Sequence, residues 1–218
     1  MYTREQTISR MNALGRAECP FFFVISHDMG HNLLFEPSET ERERMAAFSL
    51  PLGAMGSQDG GPPLPERLRF IPSPQPMSRY AASFASVRNH LMRGDSYLLN
   101  LCVSTPVETN LTLRHLFRFA HAPYRMLLGP DARISGVHGR GCVCFSPEPF
   151  VTVRGRSIST FPMKGTAPSA TQEARRWLET DEKENRESAT IVDLMRNDLS
   201  MVATGVRVKR YRLSLIHI

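Results

Sequence analysis

Between residues 124 and 160 the chain offers runs of strand length, at 124–128, 132–138, 141–145, 150–153 and 156–160, cut apart by Gly, Pro or Asp. The breaks are too short for parallel crossovers, which need a dozen residues or more, so successive runs must pair antiparallel. Helical patterns lie on either side. From Ser78, Tyr80, Phe84, Val87 and Leu91 recur at helical spacing before Gly94, a short helix is expected around 113–121, and 171–200 reads as helix. The class is therefore α+β, an antiparallel sheet with helices packed outside it.

Upstream, Thr3 and Gln6 form a capping box ahead of Ile8, Met11 and Leu14, with Gly15 as the stop. "PFFFVIS" (20–26) and "NLLFE" (32–36) read as a hairpin across an Asp28–Gly30 turn. Residues 51–76 are rich in Pro and Gly and read as a loop or linker, dividing an N-terminal lobe (1–76) from a second unit (77–212). "SYLLNLCVSTPV" is expected as one long strand, and "VRVKRY" (206–211) as a return to strand.

Composition narrows the function. Hydrophobic residues make up 41% and charged residues 22%, as in an ordinary globular chain. No apolar run approaches the roughly 20 residues that span a bilayer, and the N-terminus lacks a signal-peptide core, so the expected location is cytoplasmic, without membrane contact. Four cysteines without C-x-x-C spacing argue against a zinc site or a disulfide framework. On that reading the Asn110-Leu111-Thr112 sequon is a coincidence. The net charge of +6 suits an acidic small molecule; basic residues are too scattered, and too little interleaved with aromatics, for nucleic acid.

Three stretches carry residues suited to chemistry. "ISTFPMKGT" (158–166) presents Lys164 between a proline and a glycine; such an amine is either a solvated surface group or, if deprotonated by its surroundings, a nucleophile. "FSPEPF" (145–150) holds Glu148 between two prolines. A hairpin of the two intervening runs would return the chain to the same edge and let acid and amine face one cavity. In "DEKENRESATIVDLMRNDLS", Glu184, Glu187, Ile191, Leu194 and Asp198 share one helical stripe. Like charges at i, i+3 repel unless compensated, and two carboxylates with waters and a substrate oxygen suit Mg2+. The other reading is structural: Asp181 and Glu184 as a capping box, and Glu182 with Arg186 as a surface pair. Asp193, Arg196, Asn197 and Asp198 read as a structural polar network at the helix end.

Taken in order, "SPEPF", then Lys164 sixteen residues after Glu148 in "PMKGT", then "ESATIVDLMRNDLS" resemble the chorismate-utilising enzyme family, most closely its aminodeoxychorismate synthase component I branch. The likeness is dense over 144–200 and looser upstream, where "GDSYLLNL" matches a family strand. It implies an anthranilate synthase component I-like fold. It also implies that Lys164 attacks the chorismate ring and displaces its 4-hydroxyl, that Glu148 protonates the leaving group, and that ammonia from a glutamine amidotransferase subunit then displaces the lysine. Gly165 and Thr166 would line the pocket, and Glu187, with Glu184 beside it, would help hold Mg2+ for the substrate carboxylate.

Lys164 favours the aminating branch over anthranilate, isochorismate and salicylate synthases, which carry a small or apolar residue there, and Leu98 stands where water-adding members place a lysine. The alternatives are an anthranilate synthase component I-like enzyme or an inactive ligand-binding fragment. Departures from the pattern include Met163 for isoleucine, "TAPSA" without its arginine, and Arg186 where a small residue is common. The family's later Gly-rich turn, carboxylate-binding residues and second magnesium glutamate are not found. The tail "LSLIHI" (213–218) is what the mosaic end of a transposase-based sequencing adapter encodes in frame. The expectation is an assembly scar, a natural gene that continues, and a truncated, inactive chain.

Overall fold

A computed structural model describes residues 2–37, 46–56, 61–129, 141–162, 166–167, 171–209 and 216–217. Among these, helix α1 (Arg4–Arg16) leads into five short strands: β1 (Phe22–Val24), β2 (Leu33–Phe35), β3 (Ala46–Leu50), β4 (Gly53–Met55) and β5 (Phe70–Pro72). Then come α2 (Met77–Met92), β6 (Val107–Thr109), α3 (Leu113–Phe119), β7 (Tyr124–Leu128), β8 (Cys142–Ser146), β9 (Thr152–Arg154) and β10 (Ser157–Ser159). The chain finishes with β11 (Thr166–Ala167), α4 (Gln172–Thr180), α5 (Glu182–Ser200) and β12 (Ile216–His217). The fold is α+β with antiparallel sheets, as the strand spacing predicts.

The core lies on both faces of a four-stranded antiparallel sheet, ordered β4-β3-β7-β8. Strand alternation sorts its side chains. Ala46, Phe48 and Leu128 bury against Leu33 and Phe35 of the β1–β2 hairpin, with Met126 and Cys142 packed alongside. Ala47 and Leu127 point the other way and bury against Phe117 of α3. Phe22 stacks on Phe48 at 4.3 Å, tying hairpin to sheet. Each fully buried Phe or Leu contributes about 1.5–3 kcal/mol. Gly141 enters β8 at φ 79°, where a Cβ would stand 2.3 Å from the Leu128 carbonyl oxygen, so only glycine permits the close approach to β7.

Two polar residues hold the layers in place. Asn32 is 1% exposed; its side-chain oxygen accepts from the Ser26 backbone N–H at 3.2 Å, and its Nδ2 donates to Thr7 Oγ1 (2.9 Å) and the Met29 carbonyl (3.1 Å). Its backbone pairs with Tyr2, so α1, the hairpin turn and β2 meet at one satisfied amide. Arg125, on the α3 side of β7, donates through Nη1 to the Phe117 and Ala120 carbonyls at 3.0 and 3.3 Å, through Nη2 to Ser49 Oγ at 2.9 Å, and lies over the Phe117 ring. A cation on the last carbonyls of a helix satisfies acceptors that have no partner within the helix.

Most expected elements form. The Thr3–Gln6 capping box is present, although α1 runs to Arg16 instead of stopping at Gly15 and buries Thr7 and Leu14 rather than Ile8. The 20–36 hairpin pairs Phe22 with Phe35. Four expectations need correction. The 51–76 loop contains β4 and β5, which pair with β3 and β6. The long strand over 96–107 does not form. Val107–Thr109 pairs with Phe70–Pro72 and the Pro106 carbonyl accepts from the Ser73 N–H, while 98–105 joins no strand among the described residues and Tyr97 and Leu99 stay exposed. The 171–200 helix is two helices broken at Asp181, and residues 206–209 are not a strand. Apart from these four, β11 and β12 form a parallel pair; two helices lie between them and supply the crossover that a parallel pair requires. β12 falls in the tail expected to be a scar. The run at 132–138 and residues 210–211 lie outside the described residues.

Asn110 of the sequon is engaged structurally. Its Nδ2 donates to the Arg67 carbonyl at 2.8 Å and its Oδ1 accepts from the Arg69 N–H at 2.9 Å.

Candidate functional site

Strand β8 ends at Ser146, and the next three residues leave the sheet. Pro147 and Pro149 have no backbone N–H to continue a ladder. Ser146 Oγ donates to the Glu148 carbonyl at 2.8 Å and accepts from the Glu148 N–H at 3.4 Å, closing a local turn around the acid. Glu148 is half-buried and lines an open cleft of about 720 Å³ at this end of the sheet. Pro51, Pro123 and Tyr124 form one wall; Thr152, Arg154, Ser157, Ser159 and Phe161, with the two prolines beside Glu148, form the other. The lining mixes aromatic and apolar surface with hydroxyls, one acid and one guanidinium, a composition suited to a small polar ring bearing negative charge.

The second wall is the β9–β10 hairpin. Arg154 pairs with Ser157 across a two-residue turn whose first residue, Gly155, takes φ 57°, the position at which a II′ hairpin turn needs glycine. At its open end Thr160 Oγ1 donates to the Phe150 carbonyl at 2.7 Å, so the chain returns beside the point where it left Glu148. The hairpin inferred from the sequence is therefore present. Lys164 and Gly165 lie outside the described residues; Thr166 begins β11 and pairs with Ile216.

The acidic stripe sits on α5. Asp181 caps the helix by accepting from the Glu184 N–H at 2.9 Å. Only that half of the expected capping box forms, because the Asp181 N–H is taken by the Trp177 carbonyl at the end of α4. Glu182 pairs with Arg186 on the exposed side, as expected. Of the residues read as a network at the helix end, Arg196 pairs with Asp193 at 3.7 Å. Glu184, Glu187, Ile191, Leu194 and Asp198 all lie on the buried or half-buried side of the helix, and Glu184 is 8% exposed. The charge that compensates the two glutamates is a lysine. Lys183 Nζ stands 3.3 Å from Glu184 Oε1 and 3.4 Å from Glu187 Oε1. Its bonds to Glu184 first, then to Glu187, raise its pKa above the ordinary lysine value.

The expected residues thus fall in two places: Glu148 in the cleft, and Glu184 with Glu187 on α5, no residue of which lines that cleft. Sequence reasoning missed Tyr124 and Arg154 as cleft residues, because their placement depends on which strands meet at the sheet's end. It also missed Lys183, although a signal was available. A lysine adjacent to one glutamate and four residues before the other can reach both. The two carboxylates suit Mg2+ in donor type, and a cation already stands against both. No group of three or more His, Cys, Asp or Glu placed to hold a metal occurs among the described residues.

Comparison with known proteins places the chain in a family. The chain matches the chorismate binding enzyme family over residues 9–215 and belongs to it. It is 40% identical over 210 residues to a Haemophilus influenzae protein named "Uncharacterized PabA-like protein", covering 96% of this chain and 60% of that one. A Streptomyces coelicolor anthranilate synthase component 1 is 34% identical over 144 residues, 61% of this chain and 27% of that protein. A Salmonella typhimurium aminodeoxychorismate synthase component 1 is 31% identical over 139 residues, 60% of this chain and 29% of that protein. The chain spans 60% of the length of its Haemophilus and Pasteurella relatives. No solved structure matches. Among the described residues, no helix is long and apolar enough to cross a membrane.

Proposed function

We propose that this chain carries the reaction centre of an aminodeoxychorismate synthase component 1, a cytoplasmic enzyme that converts chorismate and ammonia to 4-amino-4-deoxychorismate for folate synthesis. One observation carries the reading: the acid held in the cleft and the hairpin that brings the chain back beside it. Lys164 follows Phe161, a cleft residue, by three positions, at most about 11 Å of chain. In this reading the Lys164 amine attacks the chorismate ring as the 4-hydroxyl departs, and Glu148 delivers the proton that lets it leave as water. Ammonia from a glutamine amidotransferase partner then displaces the lysine amine, which returns free.

In this reading Thr166 with the Gly165 backbone would complete the substrate contacts. Glu187 and Glu184 would hold Mg2+, which when bound supplies a hard positive centre for a substrate carboxylate. Branch choice rests on Lys164, since relatives named for both the aminodeoxychorismate and the anthranilate reactions match.

The test is incubation of the protein, at the full length its gene encodes, with chorismate, Mg2+ and ammonia, followed by product identification by mass. Aminodeoxychorismate is expected. Anthranilate would assign the chain to the anthranilate synthase-like alternative, and no turnover to a ligand-binding fragment. Lys164→Ala is expected to remove turnover, and Glu148→Gln to lower it by about 10²–10⁴-fold; an unchanged rate in either variant sinks that residue's role.

A further inference from the structure

We propose that Lys183 is a built-in competitor for the magnesium ion, its ammonium occupying the cation position between Glu184 and Glu187 and setting how tightly the metal is held. The inference rests on the reading of those two glutamates as Mg2+ ligands. Residues 184 and 187 share a helix face, whereas residue 183 lies about 100° round the helix from residue 184. Only a long, flexible side chain could lean across from there, and lysine does so, reaching both carboxylates at 3.3 and 3.4 Å.

Exposure makes the arrangement reversible. The Glu184 side chain is 11% exposed, while Lys183 is 73% exposed and can swing into water. The neighbouring cation, Arg186, is committed to Glu182 on the outer side of the helix. Without metal, the ammonium neutralises two carboxylates that would otherwise repel at the start of α5. With metal, the ammonium must leave, and Mg2+ affinity is lowered by whatever the exposed ion pairs are worth. For pairs this exposed, that is about a two- to fivefold reduction.

The experiment is calorimetric titration with Mg2+ alone of the unaltered protein, Lys183→Met and Glu187→Gln, with thermal melts in metal-free buffer. Lys183→Met is expected to bind Mg2+ about two- to fivefold more tightly and to melt slightly lower without metal, while Glu187→Gln binds more weakly. If Glu187→Gln weakens Mg2+ but Lys183→Met leaves it unchanged or weaker, competition by the lysine is wrong and the metal site stands. If Glu187→Gln binds Mg2+ as the unaltered protein does, the metal site itself is wrong and the role of Lys183 falls with it.

Discussion

Helices α2 and α3 both carry an apolar stripe, and they end in opposite surroundings. In α3, seven residues long, Phe117 is 1% exposed, Thr112 and His115 form a capping box at the start, and Arg125 satisfies carbonyls at the end. In α2, sixteen residues long, Pro76 provides no side-chain cap, no residue is buried, and Tyr80 and Phe84 are 40% and 51% exposed. The stronger periodicity belongs to the less buried helix. What separates them is the neighbour: α3 is followed within five residues by β7, the strand it packs on, so little loop-closure entropy opposes the contact. Periodicity reports which face a helix would bury, and the rest of the chain decides whether a surface is there to receive it.

The comparison can be broken by substitution. Phe117→Ala should cost about 3–5 kcal/mol in denaturant unfolding, since it removes a fully buried ring; a cost below about 1 kcal/mol would mean that α3 is not seated on the sheet. Arg125→Met should cost about 1.5–3 kcal/mol, because the helix-end carbonyls lose their donor; circular dichroism and the denaturation midpoint report both helix and stability. Phe84→Ala should change stability by no more than about 0.5 kcal/mol, and a loss near that of Phe117→Ala would show α2 buried in solution.

The smallest effect sharpens the same contrast inside the sheet. Burial, and secondarily Cys144, raises the Cys142 thiol above its ordinary 9.0. The unfolded thiol therefore ionises first, and stability present below pH 9 declines as pH rises through and beyond it. In reducing buffer the melting temperature should fall from about pH 8 to 10, and Cys142→Val should flatten part of that slope; equal slopes would sink the assignment.

What could be read from the sequence follows the same logic. The 20–36 hairpin, the caps of α1 and the β9–β10 hairpin are local, and their signals sit in a few adjacent residues. β3 and β4 carry no usable signal, because Ala46 and Ala47 become strand beside β7, whose residues lie far along the chain, and Gly53 only beside β3. "SYLLNLCV" has strand composition and no strand to join among the described residues. At the site, Glu148 and the acidic stripe were legible as residue types at a spacing. The wall containing Tyr124 was not, since only tertiary folding brings it there, and Lys183 was overlooked beside its glutamates.

The pairing of Ala46 with Leu128 also sets the order of events during synthesis. A ribosome adding about 5–20 residues per second completes β1 to β4 several seconds before β7 exists. For that interval Leu33, Phe35 and Phe48 lack Leu128, Met126 and Cys142, the part of their cluster that β7 and β8 supply, and the nascent N-terminal segment presents that apolar surface to whatever chaperone or neighbouring chain is at hand.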